Sequence, residues 1–70
     1  MGNINIILGK NIRQFRKEMK MTQEELADKL GVSFQAVSKW ENAQSAPDIS
    51  LLPLLAETFR CTIDDLFFAP

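Results

Sequence analysis

Gln35, Ser38, Lys39 and Asn42 place two carboxamides, a hydroxyl and an ammonium group within eight consecutive residues. At helical spacing these four share one side, while Ala36, Val37 and Trp40 share the other. The chemistry open to such a row is recognition by hydrogen bonding, not bond breaking. The Gln35 amide can pair bidentately with adenine N6 and N7. The Lys39 ammonium can donate to guanine O6 and N7 or to a phosphate, and the Ser38 hydroxyl pairs with several bases. Phe34, just before them, is suited either to a thymine methyl or to folding back against the preceding helix. Trp40 looks like a stacking residue, but its register with Val37 assigns it to the core.

Other chemistries find little support. The chain has no histidine and one cysteine, Cys61, which argues against zinc binding and against a Cys–His nucleophile. A lone cysteine also rules out an intrachain disulfide and favours a cytoplasmic setting. The acid pairs Glu24/Glu25 and Asp64/Asp65 stand at helix starts, where caps and the helix dipole account for them. No catalytic residue, metal or cofactor is expected.

The recognition row needs elements to hold it. Thr22 and Glu25 have capping-box spacing, and Leu26, Ala27 and Leu30 form an apolar face behind them. Gly31 ends that helix, because glycine takes the left-handed conformation without steric cost. Ser33 then caps a second helix carrying the polar row. Residues 23–42 therefore read as two short helices joined by a tight turn.

Upstream, Leu8, Ile12, Phe15 and Met19 follow a 4-3-4 spacing and define the buried stripe of a first helix. Lys10, Arg13, Lys17 and Lys20 lie roughly opposite. Arg13 and Lys17 are candidates for phosphate contact, and Lys20 is read as solvated. Arg16, between the two stripes, is expected to pair with Glu41. Downstream, Leu51, Leu52, Leu55 and Phe59 share a face. Pro53 among them implies a helix start nearby, capped by Ser50 or Asp48. Thr62 caps a last short helix with Ile63, Leu66 and Phe67 on its apolar side. The expectation is an all-α single domain over residues 1–70, a compact bundle of five short helices.

Seventy residues with 46% hydrophobic composition suffice for one small core. The apolar run at Ile4, Ile6, Ile7 and Leu8 is too short to span a membrane and lacks signal-peptide flanks. Net charge is −1, yet its distribution is uneven. The first twenty residues hold five basic side chains against Glu18 alone, whereas residues 21–42 and residues 43–70 are each net acidic. The positive charge is thus concentrated where it can meet phosphates locally.

Gln23, Ala27, Gly31, Val37 and Trp40 stand at spacings that resemble the lambda-repressor-like helix-turn-helix domains, of the phage repressor and Cro (XRE) type. The resemblance covers roughly Leu8 to Phe67. It extends to Ile12-Arg13-Gln14-Phe15-Arg16-Lys17, Trp40-Glu41-Asn42, Pro47 and Ile63-Asp64-Asp65-Leu66-Phe67. It implies that Gln23 donates to a DNA phosphate at the start of the second helix. It also implies that Ser33, Phe34, Gln35, Ser38 and Lys39 contact bases or nearby phosphates, and that Arg16 and Glu41 form a structural ion pair. Many members have glycine after the Glu-Asn that ends the third helix, where this chain has Ala43. Asn42 is then the expected left-handed residue, which puts its reach to a phosphate in doubt.

The function expected is that of a sequence-specific DNA-binding transcriptional regulator, chiefly a repressor, with its third helix in the major groove. A helix reading a few base pairs implies a homodimer on a palindromic double-stranded operator. The alternative is a protein-interaction module of the same fold, antitoxin-like or an assembly subunit, which the acidic latter half would suit.

Overall fold

The computed structural model describes residues 3–68. Four α-helices follow one another, α1 (Ile4–Glu18), α2 (Gln23–Leu30), α3 (Phe34–Glu41) and α4 (Leu52–Phe59). Two short 3-10 turns, Ile49–Leu51 and Asp64–Phe67, flank α4. No strand occurs among the described residues.

Local chemistry explains the starts. The Asn3 side chain accepts from the Asn5 amide at 2.9 Å and opens α1. At α2 the expected capping box is complete: the Glu25 amide donates to Thr22 Oγ1 and the Thr22 amide donates to the Glu25 carboxylate. Ser33 Oγ accepts from the Ala36 amide at 3.2 Å and opens α3. Helix α4 has proline in its first turn, as expected, but no side-chain cap of its own; of the two expected caps, Asp48 instead caps the 3-10 turn ahead of it, which takes up the residues before Leu52.

The helices stop alike. Lys20, Gly31, Ala43 and Arg60 follow α1 to α4 in turn, with φ of 58°, 72°, 60° and 57°. In each case that residue's amide bonds three residues back and the next amide bonds five residues back, the Schellman pattern. After α3, Ala43 donates to the Trp40 carbonyl at 3.1 Å and Gln44 to that of Lys39 at 2.9 Å. Three of these four left-handed positions lack the residue type best suited to them.

The core joins Leu8 and Ile12 of α1, Leu26, Ala27 and Leu30 of α2, Val37 and Trp40 of α3, Leu55 and Phe59 of α4, and Leu66. Phe15 packs its ring against Phe59 with centroids 5.5 Å apart. Met19, expected in the α1 stripe, is instead exposed because α1 has already ended there and Met19 is its cap residue.

The expected fifth helix is a 3-10 turn. Thr62 and Asp65 bond reciprocally at its start, the Leu66 amide reaches back only to the Ile63 carbonyl, and winding goes no further. Buried Asn11 of α1 donates to the carbonyls of Leu66 at 2.9 Å and Phe68 at 2.7 Å, which fastens this segment to α1.

Candidate nucleic-acid interface

Helix α3 divides as its sequence implied. Val37 and Trp40 are buried and Ala36 is half-buried against the core. Gln35 and Lys39 are exposed, Ser38 is half-buried, and Phe34 is exposed on 46% of its surface. Phe34 is thus partly in solvent at the first helical position, where it shares a surface depression with Glu24, Ala27 and Asp28 of α2. Ser33 spends its oxygen on the Ala36 amide, leaving its hydroxyl proton free to donate.

Ala43, not Asn42, takes the left-handed conformation after α3; Asn42 has φ −94° and ψ 8°. The Schellman pattern requires the left-handed residue one place beyond the cap, whatever side chain stands there. Asn42 is therefore an ordinary cap residue with an exposed side chain, on the same side of the helix as Gln35 and Ser38.

Two contacts fix α1 against the end of α3. A Cβ placed on Gly9 would lie 2.3 Å from the Trp40 carbonyl oxygen, so only glycine permits this approach of the two backbones. Arg16 binds the Glu41 carboxylate through Nε at 2.7 Å and Nη2 at 3.0 Å, the ion pair expected from the sequence. Gly9 and Arg16 lie on nearly the same line along α1, at about 100° per residue. Arg13, Lys17 and Lys10 fall on the adjoining strip, on the side away from the buried stripe. All three are exposed. They line a shallow surface depression together with Gln14 and Glu18, whose side chains bond to each other at 3.1 Å. The basic strip therefore borders the end of α3 that carries Asn42.

Gln23 opens α2, where the first-turn amides have no carbonyl to meet within the helix and favour an anion. Its side chain is partly exposed and donates to Glu41 Oε1 at 3.1 Å. This link between the two helices was missed from sequence, as were the roles of Gly9 and Asn11. A glycine inside a helix and an asparagine beside an apolar stripe were the signals available for those two. Among the described residues, no group of His, Cys, Asp or Glu side chains is placed to hold a metal ion. Among the same residues, no helix is long and apolar enough to cross a membrane.

A short helix seated by a tight turn against a second, its polar face outward beside a basic strip, defines a helix-turn-helix domain. The helix-turn-helix family profile matches residues 12–66. BcrR of Enterococcus faecalis, an HTH-type transcriptional activator, is 40% identical over 55 residues, 79% of this chain and 27% of its own. An uncharacterized HTH-type transcriptional regulator of Archaeoglobus fulgidus is 41% identical over 56 residues, 80% of each chain. In a crystal structure with a synthetic operator, the P22 c2 repressor protein matches with a TM-score of 0.82 and 33% identity, over 90% of this chain and 96% of that one. The chain belongs to the repressor-type (XRE) helix-turn-helix family of DNA-binding transcriptional regulators. It spans about a quarter of the length of BcrR and four-fifths of the Archaeoglobus protein.

Proposed function

We propose that this domain represses transcription by seating α3 in the major groove of a double-stranded operator, occluding a promoter. The observation that carries this is the outward face of α3, where Phe34, Gln35, Ser38 and Lys39 stand free of the core beside the basic strip of α1. Gln35 reads adenine, and Lys39 donates to guanine or to a phosphate. Ser38 and Ser33 supply less discriminating hydroxyl donors, and Phe34 packs on a thymine methyl. Arg13, Lys17, Gln23 and Asn42 hold the phosphates. Few base pairs meet one α3, so two copies on a palindromic site supply the specificity. The regulator works in the cytoplasm and performs no catalysis.

The protein-interaction alternative draws on the net charge of −1, but it leaves the free polar face of α3 without a use. Selection from a random DNA library recovers the operator, and titrations with the recovered duplex at several salt concentrations test the residues. Gln35→Ala is expected to cost about 1–3 kcal/mol and relax preference at one base position. Arg13→Ala is expected to weaken binding to all sequences alike and to lower the salt slope by about one phosphate's worth, near 0.9. If Gln35→Ala discriminates as the parent does, the reading face is wrongly assigned. If the parent shows no salt-sensitive binding to duplex DNA, the protein-partner reading takes its place.

A further inference from the structure

Glu41 lies at a junction of three donors. Its Oε2 accepts from Arg16 Nε, and its Oε1 accepts from both Arg16 Nη2 and Gln23 Nε2. Its side chain is 3% exposed and that of Arg16 11%. Arg16 is itself held from the far side, where Nη1 donates to the Met21 carbonyl at 2.8 Å. A carboxylate can only accept, so it is the amino end of the Gln23 amide, and never its carbonyl, that faces Glu41. That amino group has a second proton, directed about 120° away by its planar geometry. The guanidinium of Arg16 offsets the charge of Glu41, so an anion can approach this second proton without meeting an uncompensated carboxylate.

We infer that Glu41 is a positioning residue for DNA binding: it locks the Gln23 amide with its free N–H toward a phosphate. This rests on the reading of Gln23 as a phosphate ligand and adds the device that orients it. An unrestrained glutamine would present carbonyl and amino ends to the phosphate about equally, and only one of them can bond to it. The ion pair between α1 and α3 thus has a second role, setting a contact made from α2.

The test is a double-mutant cycle with Gln23→Ala, Glu41→Gln and the pair. It uses the duplex selected by the parent and a scrambled duplex of the same length, with thermal melts confirming that each variant is folded. Gln23→Ala is expected to weaken both duplexes by a similar factor, about tenfold for loss of one bond to a charged group. Glu41→Gln alone is expected to weaken them comparably, but to add less than about twofold once Gln23 is gone. An equal factor in both backgrounds would show that Glu41 does not act through Gln23. Glu41→Gln also leaves Arg16 without its carboxylate, so the parent is examined directly by NMR of the Gln23 side-chain amide. On adding the selected duplex, one of its two protons is expected to shift while the other stays. Movement of both overturns the positioning role. Movement of neither, with Gln23→Ala binding normally, shows that Gln23 meets no phosphate.

Discussion

Replacing Ala43 with glycine is expected to stabilise the domain, although glycine ordinarily weakens a chain. Ala43 holds φ 60° at the end of α3, because the Schellman bonds from its own amide and that of Gln44 demand it. A left-handed residue with a Cβ costs roughly 1–2 kcal/mol through contact with the following carbonyl. Glycine removes that cost but loses about 0.4–1 kcal/mol to the greater freedom of the unfolded chain. Ala43 is half-buried, so surrender of its methyl costs about another 0.4 kcal/mol. The net gain is then near 0.5 kcal/mol, a rise of about 2–4 °C in Tm for a domain of this size.

Gly31→Ala supplies the opposite measurement. Gly31 has φ 72°, and a Cβ there would meet nothing within 4 Å, so strain is the whole structural cost. The loss should be about 1 kcal/mol, or roughly 4–8 °C. Thermal denaturation followed by circular dichroism measures both variants. A lower Tm for Ala43→Gly beside a lower Tm for Gly31→Ala would refute the reasoning, because the same backbone conformation would then favour alanine at one helix end and glycine at another. DNA affinity of Ala43→Gly should stay within about twofold of the parent if Asn42 keeps its place.

The remaining predictions concern residues outside the α3 face. Asn11→Leu strands the buried carbonyl of Leu66 and removes the partly buried bond to Phe68, and should cost about 1–3 kcal/mol in urea denaturation. An unchanged midpoint would mean that Asn11 does not fasten the last turn. Burial first, and then the nearby Asp65 carboxylate, push the Cys61 thiol above its ordinary range. Its alkylation by iodoacetamide should therefore reach half-maximal rate at a higher pH than in the urea-unfolded chain. Folding favours the neutral thiol, so the accompanying stability is present below the unfolded pKa and is lost as pH rises through the folded one. A midpoint equal to that of the unfolded chain would refute this placement.

Periodicity made most of the helical frame legible. The stripes Leu8–Ile12, Leu26–Leu30, Val37–Trp40 and Leu55–Phe59 all face the core, and the caps at Thr22 and Ser33 act as their residue types imply. Even the Arg16–Glu41 pair was legible, because both residues fall at the edge of an apolar stripe and carry opposite charge. What escaped depends on backbone atoms of distant segments. Asn11 bonds to carbonyls 55 and 57 residues away, which no local pattern announces. The left-handed residue after α3 was placed one position early because side-chain preference favours asparagine, whereas the bonding pattern fixes the position. The last turn carries helix-start signals at Thr62 and Asp65, yet its end is set by Asn11 on another element.

Eight residues cannot hold a helix in water unaided, so the pose of α3 must come from its neighbours. Its first turn is held by Ser33 and its inner face by Val37 and Trp40. Its last turn is held by the Gly9 contact, the Arg16 and Gln23 bonds to Glu41, and the Schellman turn through Ala43. None of these restraints uses the side chain of Gln35 or Lys39, and Phe34 is left largely outside the packing as well. The side chains that hold the helix and those that face outward are therefore nearly separate sets. If α3 reads bases as proposed, substitutions at Phe34, Gln35 and Lys39 are expected to shift base preference with little effect on stability. Substitutions at Gly9, where a Cβ would meet the Trp40 carbonyl oxygen, should disturb the pose of α3 for every sequence alike.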